Sequence, residues 1–325
     1  MKRFTLDGSD ALEQRIVNDC LAVATALVEG IGADQLDALI LGGGYGRGEG
    51  GVLAGDRPFN DYDLVLVHHV TDRRQLGHHL AQVQRTARAA TGIHVDITPL
   101  PRSRLARLPA ALTWFELAHG HCVIWGDPAT LAPLRDRTLA GVDASEWGRL
   151  LLNRAFGVML AQRRRAGVLV SIGNDESETP FCLRQVMKAW LALGDVWLAD
   201  RGAYAPSVVA RRTAMLALSE PPTWVDRWLE AVKFKLNPVM TESWPGLDAE
   251  VECLAGLLAP ALAGRAVAQE QPLVGCWDTL RHLPVTAWWP PWRYPRERLR
   301  RYVVSALSGA HVDWPRCERL WAAYG

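Results

Sequence analysis

No run of about 18 apolar residues occurs in this chain of 325 residues, which excludes a helix that crosses a membrane. No C-x-x-C pair occurs either: Cys20, Cys122, Cys182, Cys253, Cys276 and Cys317 are scattered. Scattered thiols argue against a disulfide framework or a zinc site and predict buried, reduced cysteines. The opening "MKRFTLDGSDALEQ" has no apolar segment behind its basic residues, so no signal peptide is expected there, and a cytoplasmic protein with no membrane partner is. An excess of charge is missing too. Thirty-six Lys and Arg stand against 35 Asp and Glu, which gives a net +1. Global charge therefore does not point to a nucleic-acid binder. Neither an internal repeat nor a low-complexity tract is visible. Hydrophobic content of 49% with 22% charged residues fits an ordinary globular protein with one large or two smaller domains.

What is present changes character along the chain. Ala11 to Glu29 carries Leu12, Ile16, Cys20, Val23, Leu27 and Val28 near helical spacing. "DALIL" (37–41) and "NDYDLVLV" (60–67) read as buried strands, with a surface loop "GVLAGDRP" between them. Residues 73–90 read as a helix. "IHVDITPL" (93–100) is a third strand stopped by Pro99 and Pro101, and "HCVIWGDP" (121–128) is a fourth. Beyond about Leu139 strand signals thin out. Asp143 and Glu146 have capping-box spacing ahead of a helix to Arg165, and Thr179-Pro180 reads as an N-cap followed by proline. Helices are expected near 225–235, 247–263 and 295–307. The expected fold class is α+β, with a mixed sheet and flanking helices in residues 1–140 and an all-helical domain in residues 141–325.

The chemistry gathers around "LGGGYGRGEGG" (41–51), where seven of eleven residues are glycine. Bare backbone N–H groups can close around an anion, most often a phosphate. Gly46 to Gly51 formally matches G-x-G-x-x-G, a weak dinucleotide signal that would need an acid about 20 positions on; Asp72 is the candidate for it. The competing reading takes the following strand as well. Asp61 and Asp63 are two apart, so both carboxylates leave the same face of the strand. Carboxylates crowded beside a phosphate loop repel one another unless a cation lies between them, and Mg²⁺ suits oxygen ligands shared with phosphate. Asp96 on the next strand adds a third.

The combination "LGGGYGRGEGG…NDYDLVLV…HVDIT" resembles the nucleotidyltransferase superfamily built on the polymerase-beta-type palm. Gly43-Gly44 stands at the Gly-[Gly/Ser] turn, Arg47-Gly48 at its continuation, Asp61 and Asp63 at the metal pair, and Asp96 at the third carboxylate. Seventeen positions separate Gly44 from Asp61, slightly more than is commonest, and glycine replaces the frequent serine at 44. "ELAHGHCVIWGDP" (116–128) is similar to the segment that follows the palm in small-molecule members. The resemblance covers about the first 130 residues well and the rest only in style. It implies transfer of a nucleoside monophosphate from an NTP, ATP being the expected donor, with Mg²⁺ or Mn²⁺ and release of pyrophosphate. It implies Asp61, Asp63 and Asp96 as catalytic and metal-binding residues, with Asp96 a second-metal ligand or the base. Gly43, Gly44 and Arg47 would bind the nucleotide, although Arg47 also suits a brace between helix and sheet. In related enzymes a lysine of the helical domain reaches the triphosphate; Lys188 in "VMKAWLALGD" is the candidate, the plainer reading being a solvated flank residue.

The near-neutral charge favours a small-molecule acceptor. A tRNA end or a protein side chain, as in toxin-like relatives, and a non-catalytic nucleotide-binding scaffold are the alternatives. The late arginines (293, 296, 298, 300, 301) are the feature that would favour RNA. His68-His69, His78-His79, His119 and His121 lack the spacing of a zinc site. The tryptophans, including Trp277, Trp288, Trp289, Trp292, Trp314 and Trp321, read as core, and Tyr45 as packing over the glycine loop.

Overall fold

The computed structural model describes residues 3–167, 177–267 and 295–324. Cys276, Arg293 and the tryptophans at 277, 288, 289 and 292 lie outside the described residues. The chain forms two compact units: Met1–Val142 with Gly202–Ser219 and Val232–Val239, and Asp143–Arg201 with Glu220–Ala231 and Met240–Gly325. The fold is mixed α+β, with a small sheet flanked by helices and a helical C-terminal region.

In the first unit, α1 (Asp10–Ile31) leads into β1 (Leu36–Leu41), and the short helix α2 (Gly43–Arg47) follows. Next come β2 (Gly51–Leu53), β3 (Arg57–Phe59), β4 (Asp61–His68), α3 (Arg73–Thr91), β5 (His94–Pro101), α4 (Leu112–His119) and β6 (Cys122–Gly126). The main sheet runs in the order β5-β4-β1-β6. β1 is antiparallel to both β4 and β6, while β4 and β5 are parallel across the α3 connection.

Period-two alternation decides what faces where. Leu39 and Leu41 of β1, Tyr62, Leu64 and Leu66 of β4, and Val95 and Ile97 of β5 bury against α1 and α3, with Leu12, Ile16, Leu76 and Leu80. Ala38, Ile40, Val65 and Val67 bury on the other face with Leu105, Leu117, Leu131 and Leu134. Asp61, Asp63 and Asp96 have the phase of that second face. The core that covers one side of the sheet thereby aims the three acids at the other.

Three local expectations change. The surface loop between the first two strands is a hairpin, β2 against β3, turned by Gly55 and Asp56 at φ of 77° and 56°. Asp is among the few side chains that accept such angles, and the short apolar segments to either side were too brief to read as strands. Pro99 and Pro101 do not stop β5. It is an edge strand, so N–H groups facing outward are dispensable there. α6 (Glu178–Ala199) begins two residues before Pro180, with Ser177 rather than Thr179 as its N-cap; proline is tolerated where the first N–H groups have no partner within the helix.

The second unit is helical. α5 (Ser145–Arg165), α6, α9 (Leu247–Ala263) and the helices Pro295–Leu307 and Trp314–Tyr324 build it, joined by most of α8 (Val225–Leu236). Trp190 and Trp228 are fully buried, and the Trp190 indole N–H donates to Glu250 Oε2 at 3.2 Å. Phe156 stacks on Trp314 and Trp321. None of the five cysteines within the described residues is in a disulfide, and no helix among those residues is long and apolar enough to cross a membrane.

Candidate active site

β1 ends at Leu41, and Gly42 donates its N–H to the Asp63 carbonyl at 2.8 Å, so the glycine turn starts against the strand that carries the acids. The β4–β5 register sets Asp63 opposite Asp96 and Asp61 opposite His94. The result is one patch in which ligand atoms of Asp61, Asp63 and Asp96 all lie within 4.8 Å of one another. Asn60, in the left-handed region at φ 77°, starts β4 with a kink and hydrogen-bonds Asp61 Oδ1 through its amide. Three converging carboxylates supply an all-oxygen donor set that fits Mg²⁺ or Mn²⁺.

The turn itself is shaped around the acids. Gly43 sits at φ 58°, and a Cβ there would lie 1.8 Å from Asp63 Oδ2. Gly50 is equally constrained, because its Cβ would fall 2.0 Å from the Tyr45 ring. Tyr45 is a buried pin for the turn. Its hydroxyl accepts the Phe59 N–H at 2.7 Å and reaches the Gly51 carbonyl at 2.9 Å, and its ring meets Tyr62 edge-on. Gly43→Ala is therefore expected to lose both the acid geometry and about 1–2 kcal/mol of stability from the left-handed backbone alone. Denaturant midpoints together with Mn²⁺ titration check it; an alanine variant that binds Mn²⁺ like the wild type contradicts the packing described here.

Charge is distributed unevenly around the patch. Burial, then Asp61 and Asp96, push the Asp63 carboxyl up to about 7, against the pull of Arg47 and Lys235. A cation held among the three acids would relieve that strain. On the basic side Arg47 closes α2 and is nearly buried; it pairs with Glu116 at 3.3 Å and Glu49 at 3.8 Å. Its Nε is buried without a hydrogen-bond partner among the described residues. Glu116, on α4, also holds Tyr204 by a hydrogen bond and Arg211 at 3.8 Å, while Arg211 donates to the Tyr204 hydroxyl at 2.7 Å. Glu49 accepts from Ser207 Oγ and from the N–H groups of Val208 and Val209, which caps α7 (Val208–Leu216).

Lys235 belongs to the same cluster. Burial, with Arg47 and Arg211 close by, pushes its ammonium down to about 8 in spite of Glu49 and Glu116. The hairpin seats it: Phe59 meets Phe234 edge-on at 5.9 Å, and the missing side chain of Gly51 leaves room for the Lys235 carbonyl. Three cations, Arg47, Arg211 and Lys235, thus surround two acids, Glu49 and Glu116, beside the carboxylate patch.

Of the residues singled out by sequence, Asp61, Asp63, Asp96, Gly43, Gly44 and Arg47 come together in the first unit. Lys188 lies on α6 of the second unit, partly buried. The dinucleotide alternative fails on geometry. Gly46 to Gly51 closes a helix instead of opening one, β1 and β4 are antiparallel, and Asp72 is the N-cap of α3, accepting from Arg74 and Gln75. His119 and His121 sit by the carbonyls of Phe115 and Leu117, at 2.9 and 2.8 Å. Glu49, His94, Glu116, Tyr204, Arg211 and Lys235 carried no sequence signal. Glu49, His94 and Glu116 stand inside stretches that drew notice for their neighbours, and the backbone donors to Glu49 lie about 160 positions away.

No known family description matches the chain, and no curated protein does. Among solved structures it is similar to a spectinomycin adenyltransferase from Enterococcus faecialis, solved with ATP and spectinomycin. The identity is 13% and the TM-score 0.48, over 74% of this chain and 98% of that one.

Proposed function

We propose that this chain is a metal-dependent nucleotidyltransferase that moves a nucleoside monophosphate from an NTP to a hydroxyl of a small-molecule acceptor. One observation carries the reading: three convergent carboxylates stand beside a glycine turn and beside a cluster with one more cation than anion. Carboxylates alone would suit a metal, and cations alone a phosphate. Their adjacency suits a metal–polyphosphate pair, with ATP as the donor to try first.

A divalent cation, when bound, supplies Lewis-acid stabilisation of charge on the phosphoryl oxygens. Asp61, Asp63 and Asp96 would hold it. The backbone N–H groups of the Gly43–Gly44 turn would meet the phosphates, and Arg47 and Lys235 would take the charge of the β- and γ-phosphates. Lys188 is the other lysine to test for that role. Asp96 would receive the proton of the acceptor hydroxyl. The acceptor oxygen forms a bond to the α-phosphorus, the α–β bridging bond breaks, and pyrophosphate leaves with that electron pair.

The test is pyrophosphate release, with thermal shifts in parallel, across ATP, GTP, CTP and UTP with Mg²⁺ or Mn²⁺ and a panel of small hydroxylated acceptors. Saturation at about 100 times Kd stabilises the fold by about 2.7 kcal/mol. Asp96→Asn is expected to weaken the metal-dependent shift and to lose the pyrophosphate. A metal-dependent shift without pyrophosphate from any acceptor, tRNA and protein included, would favour a nucleotide-binding scaffold. No shift with any nucleotide would overturn the reading.

A further inference from the structure

Asp96 sits in a weaker setting than its two partners. Asp61 and Asp63 lie on β4, which has strands on both sides, whereas β5 is an edge strand with nothing paired beyond it among the described residues. The Asp96 side chain is 51% exposed. A short carboxylate so placed keeps its rotamer freedom, and in the metal-free protein repulsion from Asp61 and Asp63 drives it outward. One neighbour opposes that. His94, two residues earlier on the same face, has Nδ1 3.2 Å from Asp96 Oδ1, and the strand register puts it directly across from Asp61. His94, Asp96, Asp61 and Asp63 form a two-by-two square on the sheet.

Resting on the metal-dependent reading above, we infer that His94 is a positioning residue: its Nδ1 edge holds Asp96 in the orientation that completes the metal-binding carboxylate set. A second group that orients a ligating side chain commonly governs metal affinity by about 10- to 100-fold. The geometry also names the atom responsible, since Nδ1 rather than Nε2 faces the carboxylate. An asparagine at 94 places an amide N–H near the position of Nδ1, whereas glutamine places it near that of Nε2.

The experiment is Mn²⁺ binding to the full chain, followed by electron paramagnetic resonance without nucleotide, for the wild type, His94→Ala, His94→Asn, His94→Gln and Asp63→Asn. His94→Ala is expected to weaken Mn²⁺ binding about 10-fold or more with the metal-free melting temperature unchanged, since the side chain is half exposed. His94→Asn should restore most of the affinity and His94→Gln little. Unaltered binding in His94→Ala, or rescue by Gln but not Asn, overturns the inference; the latter would make the imidazole a ligand in its own right. Asp63→Asn separates the two levels. If it binds Mn²⁺ as the wild type does, or if the wild type binds none, the metal site itself is wrong and the role of His94 falls with it. If Asp63→Asn abolishes binding and His94→Ala leaves it intact, only the role of His94 fails.

Discussion

Asp63→Asn is expected to slow nucleotidyl transfer by about 10³-fold or more and, in the same protein, to raise the melting temperature of the metal-free form at pH 8. Both effects come from one placement. Asp63 is desolvated on β4 and faces Asp61 and Asp96, so its carboxyl is pushed up from 3.8 to about 7. In the unfolded chain the same group releases its proton near its ordinary value. Between those two values the folded state holds the extra proton. Stability is therefore full near pH 4, declines as pH rises toward 7 and levels off above it. At about 1.36 kcal/mol per unit, the loss reaches at most about 4 kcal/mol. Asparagine keeps the shape and removes the charge. Melting curves in EDTA from pH 4 to 9 should show variant and wild type together at the acid end and a gap opening toward pH 7. Mn²⁺ should then close the gap by stabilising the wild type alone. A variant less stable than the wild type at pH 8 without metal would contradict the crowding described.

The pairing of Asp61 with Asp63 beside the glycine turn was legible in the sequence because it rests on two local rules, whereas Asp96 entered through the family resemblance and meets Asp63 through the β4–β5 register. Strand periodicity puts alternate residues on one face, and the glycine turn marks where that face meets backbone able to approach closely. The basic side of the site obeys no such local rule. Lys233 and Lys235 sit two apart on α8 in the same short stretch, "VKFKL", yet Lys233 is exposed and Lys235 is seated in the cluster by the hairpin and by Glu49 and Glu116, against the repulsion of the two arginines. Arg211 joins the site, and Glu49 gains its hydrogen-bond donors on α7, because 202–219 belongs to the first unit. The hairpin that seats Lys235 looks like a loop in sequence, since three-residue strands carry too little periodicity to register. His94 is silent in the sequence for a related reason. Its meaning lies in the register between β4 and β5, which sequence alone does not set.

Replacing Lys235 with methionine is expected to weaken nucleotide binding about 10- to 100-fold, the range for losing a charged hydrogen-bonding partner of a phosphate. The fold should not suffer. In the protein without nucleotide, Lys235 is a desolvated ammonium beside Arg47 and Arg211, and its depression to about 8 measures how poorly that charge is accommodated. Methionine fills the same stem volume with no charge, so metal-free stability near pH 7 should be unchanged or higher. Binding and protonation are then linked with a definite sign. Above pH 8 the free protein carries Lys235 largely neutral, and an arriving polyphosphate restores the proton, so binding takes up a proton and affinity falls as pH rises through about 8. Calorimetric titrations at pH 8.5 in buffers of different ionisation enthalpy, about half a unit above that value, should detect the uptake in the wild type and lose it in Lys235→Met. Lys188→Met is the control that separates the two lysines. If it abolishes proton uptake and Lys235→Met does not, the triphosphate is held by α6, and the cation cluster of the first unit is structural.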